Sequence, residues 1–505
     1  MTQPTSKLSL NAKVFYPTIF FLVVVIAYSL YNNEAFIAGA EAINQWTLKN
    51  FGWLFTWSAF LFLIILTVVY FSPLAKVRIG GNQAKPILSR WRWFATALCT
   101  TVATGILFWG TAEPLYHLYL PPSSLGLEPS SPEAAYFAMS TLFMHWSFTP
   151  YGIYTITGLV FALGYYNRAR PFSISSLLFP FLKNKNSTNL GTVLDIICLT
   201  ALVSGMAASL GTGILAIMGG LETTLGFTPS DALMGMIGLA IVATFIASAV
   251  SGLKKGITRL SNWNTRGFFV LAALLFFLGP TLAILKIGGA GLWDYGSHFL
   301  SRSTNIGANI NSDWLKDWTI FYFANWYAWA PIAALFLGRL SVGYTVRDFI
   351  HFNLIFPSIF ACTWMIIFGG ASLAMDSETG GTLYQTLTSQ GEGNVMYQIF
   401  ESLPAGKLIS IFALLVVFIS YVTVADSNVS AMSAISSQGI RPETPEAPLW
   451  IKIVWGVLIG LIAWVMISSA GIDGIRLLCV LGGFPALFII ILAGLGMVKL
   501  LWERF

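Results

Sequence analysis

The sequence predicts an all-α integral membrane protein of about twelve transmembrane helices, and three observations carry that reading. Of the 505 residues, 56% are hydrophobic and only 10% charged, with a mean hydropathy of +0.74. A water-soluble domain this apolar would aggregate, so its solvent is lipid. Apolar stretches long enough to cross a ~30 Å hydrocarbon core recur along the whole chain. They run over 14–32, 51–72, 91–118, 137–165, 191–222, 231–252, 267–288, 317–340, 352–375, 406–434, 450–470 and 474–502. The third observation is the alternation of basic and acidic loops between them. With the N-terminus on the cytoplasmic side, 21 of the 27 Lys and Arg residues fall inside and 6 outside. Both termini are then cytoplasmic, and the net charge of +6 reports topology rather than a nucleic-acid partner.

Taken in order, the first two spans follow a basic tail carrying Lys7 and Lys13. Reading residues 1–42 as a cleaved leader would discard an inner terminus that the charge pattern supports. Spans three to seven are joined inside by basic loops, among them Arg168, Arg170, Lys183, Lys185, Lys254 and Lys255. Two longer outer pieces, 292–316 with a short surface helix and 376–405, flank spans eight and nine. Cys99, Cys198, Cys362 and Cys479 all lie within spans, which excludes a disulfide framework. No linker divides the chain. It reads as one membrane domain, 1–505, comprising an N-terminal tail and two helices (1–90), a first repeat (91–288) and a second (289–502). That division rests on spans three and eight, expected to be broken at Gly105 and Gly110 and at Pro331. Broken helices at matching places in two five-helix halves are the mark of an inverted-repeat transporter.

Aromatic residues stand where lipid-facing leucines are expected. Trp146, Tyr151 and Tyr154 fall near the middle of span four; Phe323, Trp326, Tyr327 and Trp329 near the middle of span eight. Trp and Tyr normally collect at the two water interfaces. Trp146 lies about nine residues inside its helix, roughly 13 Å at 1.5 Å per residue. Trp146 and Tyr154, eight residues apart, share a face, with Pro150 bending the helix between them. Two such clusters at mid-membrane suggest a box for a cation without hydrogen-bond donors, such as a quaternary ammonium group.

The segments FWGTAEP (108–114), HWSFTPYGIY (145–154), SGLKKGITRLSN (251–262), DWTIFYFANWYAWAP (317–331), LGRLSVGYTVRDFI (337–350) and ADSNVSAM (425–432) together resemble the betaine/choline/carnitine transporter family. The resemblance covers nearly the whole chain. It implies a fold similar to the sodium/amino-acid symporters, with two extra helices in front, and a homotrimer in a bacterial-type inner (plasma) membrane. It also implies secondary active transport by alternating access, without enzyme activity, of carnitine, glycine betaine, choline or a similar methylated amine. The positions matching the family's substrate box are Trp146, Tyr151, Tyr154, Tyr116, Phe323, Asn325, Trp326 and Trp329. Arg339 and Arg347 match an inner gate.

Two departures matter. Family members often carry Trp-Ala-Trp-Trp where this chain has Phe323-Ala324-Asn325-Trp326, so one aromatic wall becomes an amide. Altered selectivity is the expectation, and an Asn325 facing a neighbouring helix is the alternative. Sodium-coupled members place two threonines one turn apart in span five, where this chain has Leu202 and Met206. Carbonyls of Cys99, Val102 and Ser420 with the Thr423 hydroxyl remain for at most one Na⁺. The arginine that replaces sodium in the family's exchanger falls at Thr258, with Arg259 one residue, about 100° of helix, away.

Glu113, Asp195 and Asp426 lie in or at the edges of spans, where an ionised group is costly unless paired. Capping, or pairing with inner arginines such as Arg339 and Arg347, is the favoured reading; an ion path is the other. A haem protein needs paired axial ligands, and of His117, His145, His298 and His351 only His145 is expected to lie deep. A channel needs repeated filter loops or a continuous polar pore, and the sequence has neither. Amino-acid transport on the same fold stays open beside quaternary amines. The short C-terminal tail, Trp502 to Phe505, suggests nutrient uptake or exchange rather than osmotic activation.

Overall fold

Inside lipid a backbone has to satisfy its own N–H and C=O groups, and helix is how a single segment does it. The computed structural model, which describes residues 9–101, 103–182, 188–250, 256–306, 310, 312–440 and 447–503, is built almost wholly of helix. In chain order these are α1 (Ala12–Tyr31), α2 (Asn33–Phe71), α3 (Arg90–Thr100), α4 (Ala103–Tyr119), α5 (Pro132–Trp146) and α6 (Phe148–Ala162). Then follow α7 (Thr188–Leu225), α8 (Asp231–Val250), α9 (Gly256–Leu278), α10 (Thr281–Thr304), α11 (Ser312–Leu315) and α12 (Phe321–Leu340). The chain closes with α13 (Val346–Ile350), α14 (Phe356–Glu378), α15 (Thr382–Gln390), α16 (Glu392–Glu401), α17 (Gly406–Ile435) and α18 (Leu449–Trp502). A two-residue strand β1 (Ser9–Leu10) pairs antiparallel with β2 (Ser437–Gln438), Ser9 opposite Gln438.

Every expected span falls on helix, and the all-α class holds. Among the described residues, eight helices are individually long and apolar enough to cross a membrane, or up to nine counting one bent pair. The difference from twelve lies in where helices break. Span three breaks at Thr101 (φ −103°, ψ −96°), not at Gly105 or Gly110, which are ordinary residues of α4. Span four breaks at Ser147 (φ −115°, ψ −111°). Pro150, three residues on, has no N–H to bond the Trp146 carbonyl, so the turn before it is free to open. Pro331 does not break span eight, since α12 runs through it; the irregularity there is a π turn at Lys316–Ile320. Span seven ends at Leu278, before Gly279-Pro280, and α10 leaves at 111° to α9. The surface helix expected within 292–316 is therefore α10, beginning at Thr281. The last two spans are two helices that meet at Gly471 (φ +53°, ψ −131°), a conformation that only glycine adopts without strain, and α18 denotes the pair.

The helix carrying the aromatic cluster lies at the centre. In its most apolar window 94% of the residues of the α12 span are buried, against 28% for α8 and 33% for α1. Outer helices turn Phe20, Phe277 and Leu282 outward, as a lipid solvent requires. Contact with α12 is close enough to demand glycine: a Cβ at Gly483 of α18 would overlap the Ala324 carbonyl of α12. Segments expected on the basic side meet one another. Ile79 N–H donates to Tyr344 O at 2.9 Å, Gly343 N–H to Ile79 O at 2.9 Å, and Asn11 N–H to Ser436 O at 2.8 Å. Gly483→Ala is expected to cost about 1–3 kcal/mol, as overpacking does. Thermal unfolding of the detergent-purified protein reads this, with Gly39→Ala, which meets nothing within 4 Å, as the unchanged control.

Candidate functional site

A cavity of about 40 Å³ lies between the break at Thr101, Trp146 just before the break at Ser147, and the middle of α12. That is roughly three times the ~10–15 Å³ one water needs. Its wall includes Thr101, Gly105 and Trp109 from span three, Trp146 from α5, and Ser209 and Thr212 from α7. Tyr322, Asn325, Trp326 and Trp329 of α12 and Cys479 of α18 also line it.

Three rings pack around one point. Trp146 meets Trp326 edge-on, centroids 5.0 Å apart at 76°, and Tyr322 at 5.1 Å and 68°. Tyr322 and Trp326, one turn apart on α12, stack at 6.2 Å and 18°. Each indole N–H is bound elsewhere. Trp326 Nε1 donates to His145 O at 2.9 Å, and Trp146 Nε1 donates to Glu113 Oε2 at 2.6 Å. Gly105 lets the indole in: a Cβ there would overlap Trp146 Cζ3.

Of the expected residues, Trp146, Asn325, Trp326 and Trp329 line this cavity. Tyr154 backs it, edge-on to Trp326 at 6.3 Å. Tyr151 and Phe323 are buried beside it without lining it; the Phe323 ring stands 6.4 Å from His145. Tyr116 points away, its hydroxyl donating to Glu392 Oε1 at 2.8 Å. Asn325 both lines the cavity and touches a neighbouring helix, where Cys479 Sγ donates to its Oδ1 at 3.1 Å. Trp109 and Tyr322 were not anticipated. Tyr322 was recoverable, standing one turn before Trp326 on the same face; Trp109, inside FWGTAEP, meets Tyr322 at 5.9 Å only through tertiary packing.

Glu113 does not pair with an inner arginine. Its Oε1 is shared by His145 Nδ1 at 2.6 Å and His117 Nε2 at 3.2 Å, while His145 Nε2 meets Thr319 Oγ1 at 3.0 Å. Glu113, His117 and His145 are all fully buried, so His117 lies as deep as His145. These contacts are hydrogen bonds: two ligands of one tetrahedral zinc stay about 3.3 Å apart at bond lengths near 2.0 Å. The capping reading suits Asp195, which accepts from Ile174 N–H at 2.7 Å and Ser173 Oγ at 2.9 Å. Asp426 accepts from Ser248 Oγ at 2.7 Å. Arg347 Nη2 donates to Tyr70 O at 3.2 Å, and Tyr166 donates to the Arg339 carbonyl at 2.8 Å.

For sodium, Val102 lies outside the described residues. Thr423 Oγ1 donates to Ile419 O at 2.7 Å, leaving its lone pairs free. Asn264 Nδ2 donates to Ser420 Oγ at 3.0 Å, and the buried Asn264 Oδ1 finds no partner. That orphaned oxygen beside Ser420 fits a cation better than the Leu202 and Met206 positions, both buried and without oxygen. Arg259 is exposed. Gly105→Ala is expected to push the Trp146 indole off its seat and weaken cargo binding about tenfold, roughly 1.4 kcal/mol. Titration of tryptophan fluorescence with cargo reads that change.

Comparison with known proteins agrees with this architecture. Residues 13–505 match the family model described as BCCT, betaine/carnitine/choline family transporter. An ectoine/hydroxyectoine transporter of Virgibacillus pantothenticus is 32% identical over 489 residues, covering 96% of each chain. A glycine betaine transporter of Acinetobacter baylyi is 27% identical over 98% of this chain and 74% of its own. The betaine/ectoine transporter LcoP of Corynebacterium glutamicum is 29% identical over 98% of this chain and 78% of its own. A chain so matched from its first helix to its last residue, folded as a multi-pass helical bundle, belongs to the betaine/carnitine/choline transporter family.

Proposed function

We propose that the protein is a secondary active transporter of small quaternary ammonium zwitterions of the glycine betaine type, working by alternating access through the aromatic cavity. The observation that carries this reading is the enclosure of one mid-membrane point by Trp146, Tyr322 and Trp326, with both indole N–H groups bound away from it. A cation that cannot donate hydrogen bonds loses little by leaving water for ring faces, and each contact is worth about 0.5–2 kcal/mol. The Asn325 amide and the Ser209 and Thr212 hydroxyls on the same wall supply partners for a carboxylate. Choline offers them one neutral hydroxyl in place of a carboxylate and so gains less; carnitine, longer by a hydroxylated segment, needs the wall to open further.

A second reading is ectoine, a cyclic amidine carboxylate whose delocalised cation also stacks on rings. It is favoured by Asn325, which replaces a ring with a group able to accept from N–H donors, and by the naming of two relatives for ectoine. Amino acids remain the alternative on this fold, although a primary ammonium would leave three donors against ring faces. The reading includes a homotrimer in a bacterial-type inner membrane with both termini cytoplasmic, and at most one coupling Na⁺ near Ser420 and Thr423.

Uptake of labelled glycine betaine, carnitine, choline and ectoine into proteoliposomes, with and without a sodium gradient, tests the cargo. Glycine betaine is expected to be taken up saturably and to be displaced by ectoine more strongly than by choline. Trp326→Leu is expected to abolish binding, and normal transport by that variant places the site elsewhere. Asn325→Trp is expected to raise preference for fully methylated cargo over ectoine several-fold, read from the ratio of kcat/KM values.

A further inference from the structure

Glu113, His117 and His145 form an acid–base cluster behind the cavity wall that cargo binding does not use. The carboxylate receives three donors: Trp146 Nε1 on Oε2 at 2.6 Å, and His145 Nδ1 at 2.6 Å and His117 Nε2 at 3.2 Å on Oε1. Two neutral imidazoles in these tautomers satisfy every oxygen yet leave one negative charge in a fully buried place. The Tyr322 phenol of α12 also faces the Glu113 carboxylate, while the charged groups on surrounding elements are occupied elsewhere. Arg476 of α18 lies over the Trp318 ring at 5.2 Å, Glu392 of α16 takes the Tyr116 hydroxyl, and Asp376 of α14 takes that of Tyr119 at 2.9 Å. Arg302 and Asp294 of α10 pair with each other, and Asp317 lies on the π turn before α12. Among the described residues, none of these comes within ion-pair distance of the cluster.

One added proton cancels the buried charge. Placed on His145 Nε2, it turns the ring into an imidazolium that keeps Nδ1–H on Glu113 and donates from Nε2 to Thr319 Oγ1, 3.0 Å away. The threonine hydroxyl then reverses from donor to acceptor. From this geometry we infer that Glu113, His117 and His145 are a proton-binding site, and that one proton moves with each cargo molecule. The second half of the inference rests on the transport reading above. A carrier whose core is neutral reorients across lipid more readily than one holding a bare carboxylate.

The cluster is wired to both aromatic walls. Trp146 stands between cavity and carboxylate, so displacing its ring for cargo also opens Glu113 to water. Thr319 lies on the π turn that leads into α12, and the His145 carbonyl holds the Trp326 indole. Loading takes H⁺ from the side the cavity faces and unloading returns it to the other; no bond of the cargo changes.

The test uses the full chain and two readouts. Infrared difference spectra of the purified protein between high and low pH, without cargo, are expected to show imidazole and carboxylate bands that vanish in His145→Gln. In liposomes without sodium and loaded with a pH-sensitive dye, adding glycine betaine or ectoine is expected to acidify the lumen. An inside-alkaline gradient of one pH unit is expected to raise accumulation about tenfold, the ratio for one proton per cargo. His145→Gln and His117→Gln, neither side chain lining the cavity, are expected to lose that response while cargo counterflow at equal pH persists. Counterflow also shows that the variants are folded. A wild-type response to sodium alone with no lumen acidification, or a full tenfold response in His145→Gln, overturns the proton site. Absent counterflow with the infrared bands intact removes the cargo assignment and leaves the proton site standing.

Discussion

A carboxylate sealed inside a membrane protein has to bring its own donors, and the seating of Trp146 on Glu113 is the contact on which the rest of the site depends. The bond from Trp146 Nε1 to Glu113 Oε2, 2.6 Å long, fixes an indole whose polar edge would otherwise point into the cavity. With that edge occupied, the ring offers only its faces. The same logic acts on Trp326, whose N–H is spent on the His145 carbonyl. On the proposed reading, the two indoles present faces without free N–H groups, which suits a methylated cation better than one carrying N–H bonds.

Helix breaks make this arrangement possible. Backbone opened at Thr101 and Ser147 would be untenable against lipid, but both residues are buried in the interior, where neighbouring groups take up the freed polar atoms. Thr101 Oγ1, for instance, donates to the Ala97 carbonyl at 3.0 Å. Close approach at the centre is then a matter of small residues: Gly105 under Trp146, Gly205 beside Trp329 and Gly483 against α12. Such glycines carry no chemistry, yet they set how far the rings project into the cavity.

The aromatic cavity and the Glu113, His117 and His145 cluster share walls without sharing residues. α12 contributes rings to the cavity while the turn ahead of it contributes Thr319; α5 contributes Trp146 to the cavity and His145 to the cluster. Any movement that admits cargo between Trp146 and Trp326 therefore disturbs the environment of Glu113. Coupling of this kind needs no long path, because His145 and Trp146 are neighbours on one helix, their side chains about 100° apart.

Sequence alone determined the solvent, the all-α class, the run of spans and the aromatic character of two of them, because lipid demands long apolar helices and Trp at mid-membrane is conspicuous against that demand. It also singled out Trp146, Asn325, Trp326 and Trp329, which line the cavity, along with Tyr116, Tyr151, Tyr154 and Phe323, which do not. Tertiary structure decided the rest. Where the helices open, at Thr101 rather than Gly105 and at the π turn rather than Pro331, depends on which neighbours can satisfy a loosened backbone. That Glu113 joins two histidines and an indole, and not an arginine, follows from the crossing of α4 and α5. His117 and His145 stand 28 residues apart in the chain and in separate helices; only packing, not periodicity, brings both onto one oxygen.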